Sequence, residues 1–213
     1  MVIGYNAMSE SFHEYLSDAS KKVREYNLNE VFLRRKDIST YYWNCASDLH
    51  AAALILGHAR KPDFCMTAED LGLGKGFSLD IAISPPFRLN AGMSIELLLK
   101  AIGKILDRPE MPNHRLNDLC LHVGIKVSDD IRAILDVLTE SIYWEGRYLV
   151  PKSISNWKEA LQIWSNIWST PEKDGLVVLT IIPERQPSLS NSEMIWEHLQ
   201  SYYQIAKESI YEC

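Results

Sequence analysis

Residues 91–106 read AGMSIELLLKAIGKIL, and the spacing within them decides the fold class. With the stretch extended back to about residue 88, Leu89, Met93, Leu97, Ala101 and Ile105 recur at intervals of four, the period that lines one face of an α-helix. Leu98, Ile102 and Leu106 widen that face well beyond a narrow stripe, so the spacing predicts a deeply buried helix. A helix apolar over so much of its circumference needs partners on several sides.

Working outward, candidate partners are plain. Residues 41–57, YYWNCASDLHAAALILG, put Tyr42, Cys45, Ala46, Leu49, Ala52, Ala53 and Leu56 on one stripe, stopped by Gly57 and then Pro62. Phe12, Tyr15, Leu16, Ala19, Val23 and Tyr26 mark an N-terminal helix over 9–26. Ser128 reads as the N-cap of a further helix, with Asp129 and Asp130 favourably placed against the helix dipole and Ile131, Ile134, Leu135, Leu138 and Ile142 inward. Trp157, Ala160, Leu161, Trp164, Ile167 and Trp168 form a tryptophan-rich stripe ending before Pro171, expected to serve core packing or a subunit interface. The last helix opens with Ser190 and Glu193 in capping-box spacing and continues through Ile195, Leu199, Tyr202 or Tyr203, Ala206 and Ile210.

Two stretches carry strand character instead. Phe77, Leu79, Ile81 and Ile83 alternate, and residues 176–182 are apolar and β-branched. Either strand alone leaves backbone groups unpaired, so the economical arrangement pairs 77–83 with 176–182 as a minor two-stranded β ribbon. The expected fold is all-α, an antiparallel helical bundle with that ribbon, forming one domain over 1–213.

Composition narrows the function classes. A net charge of −6 argues against sequence-independent wrapping of a phosphate backbone, which needs an excess of Lys and Arg. Basic residues cluster only at Lys21, Lys22, Arg24 and at Arg34, Arg35, Lys36. Cysteines 45, 65, 120 and 213 form no CxxC, which suits reduced thiols in a cytosol; Cys45 and Cys120 are expected to fill the core. No apolar run reaches the length of a membrane span and no signal region opens the chain, so a soluble, cytoplasmic protein without a membrane partner is expected.

Three tempting motifs fail on chemistry. EDLGLGKGFS lacks the glycine at position 69 and the hydroxyl residue after Lys75 that a phosphate-binding loop requires. The six histidines are dispersed, with His50 and His58 eight residues apart, so no metal site and no cofactor are expected. No Gly-x-Ser-x-Gly elbow is present, and capping explains the Asp129–Asp130 pair.

Between about 40 and 151 the chain resembles the HEPN family, the higher eukaryote and prokaryote nucleotide-binding domains. YYWNCASDLHAAALIL looks like that family's first core helix. AGMSIELLLKAIGKIL is similar to its second, where an acidic residue precedes a Leu-Leu-Lys-Ala run, here Glu96 and Lys100. NHRLNDL resembles the following histidine-plus-leucines turn, and YWEGRYLVP the aromatic-Arg-Tyr ending of a later helix. The chain departs from compact members by an insertion over about 60–88 and by RYLVP in place of Arg-Tyr-Pro. The N-terminal helix and the helical extension over 153–213 have no counterpart.

The resemblance implies two alternatives for PNHRLNDLCLH, residues 112–122. In the first, Arg115 and His122 are the catalytic pair of a metal-independent ribonuclease, histidine shuttling the proton of a 2′-hydroxyl and arginine stabilising charge on the phosphorus. Seven positions along a helix would project both from one face. Against this stand Leu116 directly after Arg115, Pro112 and Gly124 bracketing the segment, and its place after the second core helix. In the second alternative nothing is catalysed. His114, Arg147, Tyr148, Glu96 and Lys100 are then ligand-binding residues, with arginine suited to phosphate and tyrosine to stacking on a base. The leading expectation is a HEPN-like homodimer that binds a nucleotide, RNA or partner protein without catalysis. A helical interaction or scaffold protein with no nucleotide role is the third reading, and an acidic or flat surface around Arg115 would favour it.

Overall fold

The computed structural model describes residues 32–33, 38–59, 67–74, 76–145, 148, 151–169, 172–173, 176–177 and 180–211. The chain divides into two compact units, Met1–Ile38 and Ser39–Cys213. In the first, residues 32–33 are helical; the helix expected over 9–26 and both basic clusters lie outside the described residues. The second unit is all-α. Its described helices are α1 (Ser39–His58), α2 (Leu79–Ile105), α3 (Leu116–His122), α4 (Asp129–Glu140), α5 (Ile154–Ser165) and α6 (Leu189–Tyr211). A π-helical turn, Ser141–Glu145, continues α4, and a 3₁₀ turn, Pro183–Arg185, precedes α6.

The central position expected for the 91–106 helix is found. α2 packs against α1, α3, α4, the π turn and α6. Ile95, Leu98, Leu99, Ala101 and Ile102 are buried, so its middle is enclosed on nearly every side. Each fully buried Leu or Ile contributes about 1.5–3 kcal/mol relative to exposure, and α2 supplies four of them, more than any other described helix. Opposite it, α4 buries Ile134, Leu135 and Leu138, and Ile142 follows in the π turn, as the stripe from Ser128 predicts. Ser128 does cap α4, its hydroxyl accepting from the Ile131 amide at 3.3 Å.

The expected ribbon is corrected. Residues 79–83 begin α2, with Ser78 as N-cap and its hydroxyl accepting from the Ile81 amide at 3.5 Å. The alternation there has no core to face, because Phe77 and Ile81 are 47% and 72% exposed. Pro85 and Pro86 would also have removed ladder donors from a continuing strand. Residues 79–88, the last part of the expected insertion over about 60–88, are therefore the opening of α2. Leu176, Val177, Thr180 and Ile181 do pair, but locally: Trp168 with Ile181, Ser169 with Thr180, Glu172 with Val177 and Lys173 with Leu176, all antiparallel. Asp174-Gly175, between Lys173 and Leu176, is a favoured hairpin dipeptide and the sequence signal for that local partner.

Smaller expectations also shift. α1 ends at His58, one residue past Gly57, as expected, and a Cβ at Gly57 would stand 2.7 Å from Leu189 Cδ1, so the glycine also permits a close approach of α6. Cys45 is exposed, since α1 turns Ala46, Ala53 and Gly57 inward instead. Cys120 is buried as expected, and burial pushes its thiol up to about 12. The hydroxyl that caps α6 belongs to Ser188, which accepts from the Asn191 amide at 3.2 Å, rather than to Ser190. An aromatic seam joins α1 to α6: Trp43 stacks on Tyr203 at 4.4 Å, and His50 on Trp196 at 4.1 Å. Burial lowers the pKa of that His50.

Candidate functional site

α3 is short because its ends are closed. Gly124, at φ +79°, lets the chain turn back so that the Ile125 amide reaches the Cys120 carbonyl and the Gly124 amide reaches Leu121. At the other end Leu116 donates its amide to Thr139 Oγ1 at 3.1 Å, tying an otherwise unpaired helical donor to α4. Asn117 extends that link: its Nδ2 donates to the Arg132 carbonyl at 3.0 Å and to Asp136 Oδ1 at 2.6 Å. α3 is thus anchored along α4, and the residues around it are held in fixed relation.

Two groups of residues result. In the first, Glu96 and Lys100 of α2 and His114 of the turn before α3 converge. Lys100 Nζ lies 2.6 Å and His114 Nδ1 2.8 Å from the same oxygen, Glu96 Oε1, on a side chain only 7% exposed. A carboxylate accepts only, so His114 Nδ1 carries the proton and its Nε2 is left as the outer nitrogen. The imidazole meets Tyr143 edge-on at 5.7 Å.

The second group lines a cleft of about 460 Å³ between α3, α4, the π turn and α5. Arg115, Asn117, Asp136, Glu140, Tyr143, Trp144 and Glu159 are among its walls. Trp144 Nε1 donates to Glu140 Oε2 at 2.9 Å, and its ring leans on Trp157 at 5.9 Å. The π turn matters here, since it carries both Tyr143 and Trp144; such turns recur at functional sites. Arg115 reaches Glu159 at 3.8 Å, with both side chains about 60% exposed, which makes a weak, screened pair.

Burial raises the pKa of Asp136, opposed by the Asn117 hydrogen bond and by Arg132 and Arg115. Burial raises that of Glu140 too, with Glu159 adding to it and Trp144 and Arg115 opposing. The folded chain therefore binds protons at these two sites more tightly than the unfolded chain. Stability from that source is fully present below the unfolded carboxyl pKa of about 4 and is lost as pH rises through the raised folded values. Glu140→Gln and Asp136→Asn, which keep an acceptor oxygen, are expected to raise the urea midpoint at neutral pH and to leave it unchanged below about pH 3. Equal midpoints at neutral pH would contradict the desolvation of these groups.

The remaining sequence candidates are placed as follows. Arg115 is the N-cap residue of α3, at φ −75° and ψ 108°, so it stands outside the helical run that would have aligned it with His122. His122 donates Nε2–H to the Pro109 carbonyl at 2.9 Å and lines a separate shallow groove with Lys104 and Arg108. Within one chain Arg115 and His122 face different clefts. Tyr148 is half-exposed, with Lys152 Nζ 6.0 Å from its ring centre, and Arg147 lies outside the described residues. Of the tryptophan stripe, Trp164 lies under Arg88 at 5.0 Å, while Trp157 and Leu161 stay 37% and 53% exposed.

Asp136, Glu140, Tyr143 and Trp144 were not singled out from sequence. A trace is present in the i, i+4 pair of like charges Asp136–Glu140, which a helix avoids unless something else uses it. Among the described residues no group of His, Cys, Asp and Glu is arranged to hold a metal ion, and no helix is long and apolar enough to cross a membrane. No family model, no curated protein and no solved structure matches the chain.

Proposed function

We propose that this chain is a HEPN-like helical binding module without catalysis of its own, and that its α3–α4–α5 cleft takes a segment of a partner protein rather than a nucleotide or RNA. The observation that carries the choice is the charge of the cleft wall: Asp118, Asp136, Glu140 and Glu159 against Arg115 and Lys152. A phosphate brought there meets an excess of negative charge in partly desolvated surroundings, where like charges repel strongly. The HEPN reading draws support from the convergence of Glu96, Lys100 and His114, since these are residues on which the resemblance rests. Ile154, Trp157 and Leu161, exposed at i, i+3 and i+7 on α5, add apolar surface suited to protein contact, including contact with a second copy.

Titration of the protein with ATP and with a short RNA under chelator, followed by the Trp144 indole resonance, tests this. No saturable shift and no RNA cleavage are expected. ATP binding abolished by Arg115→Ala would return the cleft to a nucleotide. Cleavage lost in both Arg115→Ala and His122→Ala would make the protein a ribonuclease.

A further inference from the structure

We propose that the segment entering the cleft presents a lysine or arginine side chain, whose cation is received by Asp136 and Glu140; this rests on the partner-binding reading above. Three features of the cleft lead there. The first is an excess of acceptors. Beyond the four carboxylates, Asn117 Oδ1 is buried and, among the described residues, finds no donor. Its orientation is set, because rotating the amide would put oxygen against the Arg132 carbonyl and Asp136 Oδ1, the two groups Nδ2 now serves. The four carboxylates against Arg115 and Lys152 thus leave the wall richer in acceptors than in cationic donors.

The second feature is placement. Asp136 and Glu140 stand four residues apart on one face of α4, so their carboxylates are neighbours across a single helical turn. α3 holds Asp136 through Asn117, and Trp144 holds Glu140, so neither needs to be ordered when a cation arrives. Arg132 acts on Asp136 from α4 itself, and Arg115, which acts on both carboxylates, makes its ion pair with Glu159 at the rim instead. A cation between Asp136 and Glu140 would relieve the repulsion of two partly buried like charges, which gives binding a source of energy that an anion lacks.

The third feature is shape. Tyr143, Trp144 and Ile163 supply apolar wall beside these carboxylates. Lys and Arg carry a methylene stem ending in a charged head, and they bury the stem along apolar surface while the head meets its partners. Tyr143 and Trp144 also offer aromatic faces to a cation. A volume of about 460 Å³ falls within the usual range for pockets that enclose a ligand and exceeds what a bare ion would occupy.

The test uses two capped pentapeptides, Gly-Lys-Ala-Lys-Gly and Gly-Glu-Ala-Glu-Gly, each titrated into the full chain while the Trp144 indole N–H resonance is followed. That proton donates to Glu140, so it reports directly on the receiving pair. The lysine peptide is expected to shift it saturably and the glutamate peptide to leave it in place. The double variant Asp136→Asn with Glu140→Gln should weaken the lysine peptide by about tenfold or more, while Asp129→Asn, on the same helix outside the cleft, changes affinity by less than about twofold. Rising salt should weaken binding only partly, because the pair is half-buried.

Saturable binding of the glutamate peptide would overturn the inference, as would lysine-peptide binding indifferent to the double variant. So would the absence of any lysine-peptide shift at millimolar concentration. Failure of this inference with no ATP response leaves the partner-binding reading standing; an ATP response that Arg115→Ala removes takes both down.

Discussion

Gly92→Val is expected to destabilise the protein by about 3 kcal/mol, near the upper end of overpacking costs. A Cβ at this position would stand 3.0 Å from the Leu138 carbonyl oxygen and 3.1 and 3.2 Å from Ile142 Cγ1 and Cδ1. The Leu138 oxygen is backbone at the junction of α4 with the π turn, so it cannot swing away as a side chain would. Valine adds two further methyl groups and a restricted χ1 to that contact. Alanine at 92 should be milder, because the gain of about 1 kcal/mol in helix propensity over glycine offsets part of the clash. Gly103 is the control. Its Cβ would meet Val123 Cγ1 at 3.6 Å and Arg108 Cβ at 4.0 Å, both ordinary contacts, and Gly103→Ala is expected to stabilise by about 0.5–1 kcal/mol. Urea unfolding measures all three. A Gly92→Val midpoint equal to wild type would mean that α2 and α4 do not approach this closely.

Glu96→Leu is the second large effect, expected to cost about 2 kcal/mol. Removing one partner of a fully buried ion pair costs about 3–5 kcal/mol, because the other charge is left without compensation. Lys100 is 19% exposed and His114 44%, so each recovers some hydration by moving outward, which brings the figure down. The double variant Glu96→Leu with Lys100→Met removes both charges and is expected to recover most of the loss. Such a cycle separates an ion-pair effect from a packing effect. If the double variant is as unstable as the single one, leucine fails for reasons of shape, and the Glu96 carboxylate is not what organises this corner. Both variants also bear on the cleft, since His114 contacts Tyr143 on its wall.

The helices of the second unit were largely legible because burial of an amphipathic face is a periodic property of local sequence. The stripe at 131–142 landed on a buried face for that reason, while at 91–106 Leu98, Ala101 and Ile102 are buried, Met93, Leu97 and Ile105 pack against the core only partly buried, and Leu106 is exposed. What misled was periodicity without a core behind it. Phe77 to Ile83 alternates as a strand would, yet Ser78 caps a helix there, and Phe77 and Ile81 face solvent. Cys45 departs from its expected core position for a related reason: the identity of a small residue on a helix does not say whether a neighbouring helix comes close.

The candidate site was only half legible. Glu96, Lys100 and His114 came from the resemblance, and the first two also stand in i, i+4 spacing on one helix, so local geometry already favours their pairing. The union of His114 with Glu96 spans 18 residues and needs the turn into α3. Arg115 and His122 illustrate the reverse. Their spacing is helical, but Arg115 falls just outside the helix, and one residue of displacement at the cap sends the two side chains to different clefts.

Sequence by itself determined that the second unit is all-α, that the 91–106 segment is its buried centre, where Ser128 starts a helix, and that the chain as a whole carries net negative charge. Those follow from the period and chemistry of neighbouring residues. The cleft was decided only by tertiary structure. Its acidic wall joins side chains from α3, α4 and α5, beside the aromatic pair of the π turn, and its character depends on two long-range hydrogen bonds, Leu116 to Thr139 and Asn117 to Asp136. Charge sums over a sequence do not say which carboxylates face one another, and burial, which raises the pKa of Asp136 and Glu140, exists only once the helices have met.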